Sequence, residues 1–458
     1  MAFVLGTTSG GTGRHVRMLA TGLVRRGHRV LVVGPPDVEE SLAFTGVGAR
    51  FVPIRVSDRP HPLDDARSVL ALRRLTMDAD VVHAHGLRAG ALAALALPGR
   101  AALLTGAGGA AAAPMPRGGA PAAPREAAER GAGAVARAGR GRPELVVTLH
   151  NALTAGGLVG AVYGALERVV ARRADHVLVV SPDLGERMRT LGARDVRSAV
   201  VPAPVPRPAK KTPEEVRAEL GAGHRPIVLT LARLAQQKGL ETLLDVARGP
   251  WTPAAHGGEG AAGEGAGGEG AGGERAGGGR VIGEGVGGQG AGGESSLGEG
   301  DGGTGIAGDA VAAPLFVVAG DGPLRGELQA RIDAERLPVR LVGWRDDVPD
   351  LLAAATVVVW PSRWEGLPLS LSETLMVGRP VVATAVGGVP DLLAGAGKLV
   401  PYGDAAAMRA AVRELVEDPA EAARVARAAA RRGAELPGED DAVDSVLSVY
   451  RAATAGDD

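Results

Sequence analysis

No cysteine occurs among the 458 residues, which excludes disulfide frameworks, thiolate metal sites and cysteine nucleophiles. Nor is there a run of eighteen apolar residues, so no segment can cross a bilayer as a helix, although 45% of the chain is hydrophobic. The N-terminus lacks the charged, apolar and cleavable succession of a secretory leader, because Phe3-Val-Leu5 runs straight into a glycine loop. A soluble cytoplasmic protein is the expectation. Lysine is scarce too: four lysines accompany 47 arginines, and with abundant alanine and glycine this marks a GC-rich coding bias. A lysine at a special position is therefore informative.

The length suits two domains with additions. A formal net charge of −1 hides a split, since residues 256–310 hold 26 glycines, nine acidic residues and two basic ones. Without that segment 49 basic residues stand against 43 acidic ones, a surplus of six. Such a mildly basic body fits an anionic small ligand or an acidic membrane surface and is too weak to argue for nucleic acid.

The most informative stretch runs from Trp360 to Asp391, WPSRWEGLPLSLSETLMVGRPVVATAVGGVPD. Thr356 to Val359 reads as a buried strand, Pro361 to Pro368 as a loop, and Leu369 to Val377 as a short helix closed by Gly378. Glu365 in the loop and Glu373 in the first turns of the helix, with seven residues between them, can point into one crevice at the carboxyl end of a sheet. The helix start suits a phosphate. This run resembles the E-x7-E element of retaining glycosyltransferases of the GT-B fold, family 4. The resemblance implies that Glu365 holds the transferred sugar, that the segment of Gly366, Leu367, Pro368 and Leu369 contacts hexose and diphosphate through its loop amides, and that Glu373 binds the ribose.

Along the chain, Phe3 to Thr8 reads as a strand, Ser9 to Gly13 as a glycine turn, and the next residues as a helix to about Arg26. A dinucleotide fold wants G-x-G-x-x-G and an acidic residue ending the second strand; Val16 and Gly34-Pro-Pro stand there instead. By resemblance, Gly10 and Gly11 lie against the donor diphosphate and acceptor. Asp80-Val-Val-His-Ala-His-Gly86 is a further strand, with His83 and His85 on one face by the period of two. Lacking a third ligand nearby, they are expected to line the cleft rather than bind metal. The strand ending at His150 and Asn151 delivers His150 to the cleft edge, where the family carries a histidine that contacts donor sugar or acceptor. Ser181 is placed to cap the helix after the strand His176 to Val180, with Pro182 at its first position.

In the second half, IVLTLARLAQQKG places Arg233 and Lys238 in the loop after a strand. This matches the family's R-x4-K-G spacing, with both cations on the donor diphosphate. Gly320-Asp-Gly-Pro323 resembles another family turn, and Gly343, ending the next strand, is the expected backbone contact to the base. Asp346, Asp347 and Asp350 are read as caps of the following helix. Glycine at the density of residues 256–310 argues disorder.

These readings converge on α/β architecture of the GT-B type, two facing doubly wound Rossmann-like domains with a ligand cleft between them. Residues 1–202 form an acceptor-side domain with a flexible insertion at about 106–142. Residues 203–225 are a linker region. Residues 226–436 bind the nucleotide sugar and carry a disordered insertion at about 251–312, and a final helix within 437–458 returns to the first domain. The implied activity is a metal-independent, retaining transfer of sugar from a nucleotide diphosphate to an unidentified acceptor, with His150, Arg233, Lys238 and Glu365 at the reaction centre. No cofactor beyond the nucleotide-sugar substrate is implied. Two alternatives stay open: a non-catalytic sugar-nucleotide binder on this fold and a nicotinamide oxidoreductase. The acceptor is small or lipid-linked. Arg14, His15, Arg17, Arg25 and Arg26 on the first helix, with the arginines of residues 106–141, allow peripheral contact with an anionic membrane if they share a face.

Overall fold

The computed structural model describes residues 1–7, 11–56, 62–98, 142–151, 157–251 and 313–454. Nearly all of the expected insertions at about 106–142 and 251–312, and Gly10 with them, therefore lie outside the described residues. Short runs of valine, leucine, isoleucine and alanine form parallel strands, as strands covered on both faces require. The first sheet joins β1 (Ala2–Leu5), β2 (Leu31–Gly34), β3 (Arg50–Pro53), β4 (Val81–His85), β5 (Glu144–Leu149), β6 (His176–Val179) and β7 (Val196–Ser198) in the order β3-β2-β1-β4-β5-β6-β7. The second joins β8 (Ile227–Leu231), β9 (Leu315–Ala319), β10 (Val339–Gly343), β11 (Val357–Trp360), β12 (Val381–Thr384) and β13 (Lys398–Val400) in the order β10-β9-β8-β11-β12-β13. Strand order reverses between β1 and β4 and again between β8 and β11. Each reversal opens a crevice at the carboxyl ends of the strands, which is where such sheets bind ligands.

Alternation along the strands fills a core on each face of the second sheet: Ile227, Leu229, Val358 and Trp360 pack one way, and Val228, Phe316, Val357 and Val359 the other. Trp251, at the edge of the expected insertion, belongs to the fold, its ring 5.6 Å from that of Phe316. The expected linker is shorter than 203–225. A helix over Pro213–Glu219, closed at its start by a reciprocal Thr212–Glu215 capping box, sends Val216 into the second core together with Leu220. Asp350 does not cap a helix. Buried, it accepts hydrogen bonds from the amides of Lys210 at 2.5 Å and Lys211 at 3.2 Å, tying the linker's end to the second lobe. Asp347 makes no cap bond either and pairs with Arg345. Ser181 stands at the start of the helix Pro182–Thr190, yet its hydroxyl makes no capping bond and is buried without a partner.

The chain crosses back after the helix Pro419–Ala434, and the two crossings are joined by the Ala203 amide donating to the Pro437 carbonyl. The last helix, Glu439–Thr454, lays Val443, Val446, Leu447 and Tyr450 into the first core. It lies close against the first helix, Gly11–Arg25: a β-carbon at Gly22 would come within 2.5 Å of Val443. Arg14 faces the cleft and His15 is buried, while Arg17 donates to the Leu42 carbonyl and Arg25 and Arg26 pair with Asp440 and Asp444 of the last helix. Among the described residues no helix is long and apolar enough to cross a membrane.

Gly22→Val should cost about 1–3 kcal/mol, the usual range for overpacking a tight contact, read as a lower urea midpoint. An unchanged midpoint would contradict the close docking of the last helix.

Candidate active site

Both crevices open onto one cleft of about 680 Å³, lined from the first lobe by Gly11, Arg14, His15, His150 and Asn151, and from the second by Arg233, Gln237, Lys238, Glu365, Glu373 and the loop Gly366 to Leu369. That volume lies within the roughly 300–1,000 Å³ of small-molecule sites. Of the twelve catalytic and donor-binding residues expected from the sequence, ten line this cleft; Gly343 does not, and Gly10 lies outside the described residues. Gly343 ends β10 with φ 73°, a conformation that suits glycine. Its carbonyl accepts from the Gly320 amide at 2.7 Å, and the next two residues, Trp344 and Arg345, line the cleft instead. Arg345 is held by Asp347 and Glu219.

Glu365 is the best-anchored of these groups. Its carboxylate is buried, a costly state for a charge unless partners meet it, and two do: the Lys238 ammonium at 2.5 Å and the Ser362 hydroxyl at 2.7 Å. Ser362 is fixed in turn, its carbonyl accepting from Thr384 at 2.6 Å. The backbone of the same loop rests on a glycine pair. The Gly388 amide donates to the Glu365 carbonyl, and β-carbons at Gly387 and Gly388 would stand 1.8 Å from the Glu365 oxygen and 2.4 Å from that of Gly366. On the other side, Gln237 donates to the Trp364 carbonyl, and the Trp364 indole donates to Asp183 of the first lobe at 2.7 Å. Glu373 is half buried, and desolvation raises its carboxyl above the ordinary range, against the pull of Arg14 and Arg207.

His83 and His85 do not line the cleft. Both are fully buried beneath it, where Phe3, the first helix and His150 cover the face of the sheet that they share. His83 is satisfied by Tyr450 and Thr148, each at 2.7 Å. The ring of His85 lies tilted against that of His83 with centroids 4.2 Å apart, and its Nδ1 meets His150 Nε2 at 3.1 Å. Among the described residues no cluster of three or more histidines and acids is arranged to hold a metal ion. Burial keeps all four histidines neutral: His15 falls to about 4 and His150 to about 3, each chiefly by desolvation. His83 and His85 fall well below the usual range for the same reason. Arg14, His15, Gln237, Trp344 and Trp364 were not read as site residues from sequence. Only Arg14 and His15 carried a signal, following a glycine turn at the start of a helix.

A histidine whose folded pKa is depressed stabilises the fold fully above its unfolded value of about 6.5 and loses that contribution as pH falls toward the folded value. Each depressed histidine should steepen the loss by about 1.4 kcal/mol per pH unit. Denaturation of a His15→Met variant between pH 6.5 and 4.5 should give a shallower decline than the parent; equal slopes would contradict neutral burial of His15.

Two sequence profiles match the chain. One, described as a glycosyl transferase 4-like domain, covers residues 10–132 and 125–204, and the other, glycosyl transferases group 1, covers residues 309–418. Curated relatives include the alpha-D-kanosaminyltransferase of Streptomyces kanamyceticus, 34% identical over 142 residues, 30% of this chain and 37% of that protein. D-inositol 3-phosphate glycosyltransferase 1 of Catenulispora acidiphila is 38% identical over 161 residues, 32% of this chain and 38% of the relative. The chain thus spans under two-fifths of the length of these relatives. Among solved structures, HepE of Anabaena in complex with UDP aligns with a TM-score of 0.64 at 16% identity, over 98% of this chain and 99% of that one. Sucrose-phosphate synthase of Thermosynechococcus elongatus aligns with 0.63 at 17%, over 99% of each. At such identities these likenesses speak for the fold. By its two matching domains and its GT-B architecture, the chain belongs to the family 4 glycosyltransferases.

Proposed function

We propose that this protein is a retaining glycosyltransferase that moves a hexose-type sugar from a nucleoside diphosphate to a hydroxyl acceptor, free or lipid-linked, without a metal ion. The observation that carries the reading is the convergence of Arg233, Lys238, Glu365 and Glu373 on one cleft between two doubly wound lobes. Breaking the bond from the anomeric carbon to the diphosphate builds negative charge on the leaving group. Fixed cations aimed at that charge stabilise the transition state more than the ground state. Lys238 has three N–H donors, and Glu365 engages one of them. The others, with Arg233 and the amides at the start of the helix Leu369–Met376, serve the phosphates. Gly11 borders the same diphosphate.

Glu365, held rigidly by Lys238 and Ser362, accepts from hydroxyls of the transferred sugar, and Glu373 accepts from the ribose. Trp344, exposed at the cleft edge, and the rigidly paired Arg345 stand at the base end. His150 contacts donor sugar or acceptor from the opposite lobe. The reading assigns no covalent nucleophile. The acceptor oxygen attacks on the face from which the diphosphate leaves, its proton passes to a leaving phosphate oxygen, and the configuration is retained. Uridine diphosphate sugars are the first donors to try, since HepE was solved with UDP, with UDP and glucose, and with UDP-glucose.

Lys238→Ala and Arg233→Ala should each lower turnover by about 100-fold, the scale of losing one preorganised stabilising group. Acting on the same diphosphate, they should combine to less than the product of the single effects. Unchanged turnover in both variants would remove the mechanism. Transfer by EDTA-treated enzyme should persist; dependence on added manganese would contradict the metal-free reading.

A further inference from the structure

The four-histidine cluster contains a group that the proposed chemistry does not use. His83 has both ring nitrogens engaged, by Tyr450 and Thr148, so it has none to offer His85. The ring of His85 is packed between those of His83, His15, His150 and Phe3. Its Nδ1 meets His150 Nε2 at 3.1 Å, and its Nε2 is buried without a partner. A neutral imidazole carries one proton, so the His85–His150 bond can be made in two ways. If His150 donates from Nε2, the proton of His85 is left on its own Nε2, an orphaned N–H in a sealed site. If His85 donates from Nδ1, only a lone pair is left without a partner. Orphaned buried N–H groups are the rarer and worse defect.

We infer that His85 is a positioning residue that donates from Nδ1 to His150 Nε2, and so holds His150 as the neutral tautomer with its proton on Nδ1. Resting on the reading that His150 contacts substrate, this makes His150 a hydrogen-bond donor to a sugar or acceptor oxygen, in the way a second partner fixes the tautomer of a functional histidine. The titratable groups packed around His85 are His83 on its own strand, His15 from the first helix and His150 after β5. None is an acid that could draw the proton elsewhere. Anchoring runs farther back, through His83 to Tyr450 on the returning last helix.

The test is nitrogen NMR of the full-length protein carrying 15N-labelled histidine, with His150 assigned by comparison with a His150→Gln sample. His150 should show a protonated Nδ1 and a bare Nε2 near pH 7 in the absence of substrate. A protonated Nε2 would overturn the inference. His85→Asn, whose amide nitrogen replaces Nδ1, should keep the His150 pattern and most of the turnover. His85→Leu should shift His150 away from the single tautomer and lower turnover about tenfold or more, the usual scale for losing such a partner. Equal losses in Asn and Leu variants, or an unchanged His150 spectrum in the Leu variant, would also overturn it. The spectrum needs no substrate, so it stands apart from the functional reading, which would fall separately if His150→Ala transferred sugar at full rate.

Discussion

The ion pair between Lys238 and Glu365 joins the loops that follow β8 and β11, the two strands flanking the switch point of the second sheet. A carboxylate this deeply buried is tolerable only with its partners in place. Removing one leaves an uncompensated charge, a defect commonly worth about 3–5 kcal/mol. Much of the surrounding backbone is shaped by that requirement. Gly239 passes so close to Pro361 that a β-carbon would lie 2.1 Å from its carbonyl oxygen, which draws the lysine loop onto the glutamate loop. The glycine pair 387–388 presses on the same loop from the far side. Chemistry that needs a cation and a carboxylate side by side is thereby built into the chain path.

The Glu365 loop is also the seam between the lobes. Trp364 bonds to Asp183, and Gly366 lies against Val180 and the His150 carbonyl, where a side chain would collide. Groups of the two lobes are thus set relative to one another by contacts within a few residues of the proposed sugar-binding glutamate. At the opposite end, the two crossings are joined at Ala203 and Pro437, and the last helix packs on the first core.

Most of the local architecture was legible in the sequence because parallel strands, glycine turns and helix starts are encoded within a dozen residues. Glu365, Lys238 and their loops could be read from the resemblance of their motifs to those of the family. Their pairing could not, since the two residues are 127 positions apart. The period of two correctly put His83 and His85 on one face but does not say whether water or the first helix covers that face. Asp350 had the composition of a cap, and only the path of the linker reveals why its carboxylate turns to the Lys210 and Lys211 amides. Gly343, expected by resemblance as a backbone contact, ends its strand with a positive φ, and the two residues after it, Trp344 and Arg345, line the cleft. Of the first-helix cations, only Arg25 and Arg26 meet acids of the last helix, a pairing across more than 400 positions that spacing within the first helix does not reveal.

The proposed transfer of sugar proceeds with retention, through charge stabilisation by Arg233 and Lys238. Proton NMR of the first sugar released from an α-configured nucleoside diphosphate donor, hydrolysed by the enzyme in EDTA-containing buffer, tests it most directly. The account predicts that the α-anomer appears first and only then equilibrates. Initial release of the β-anomer would contradict the account.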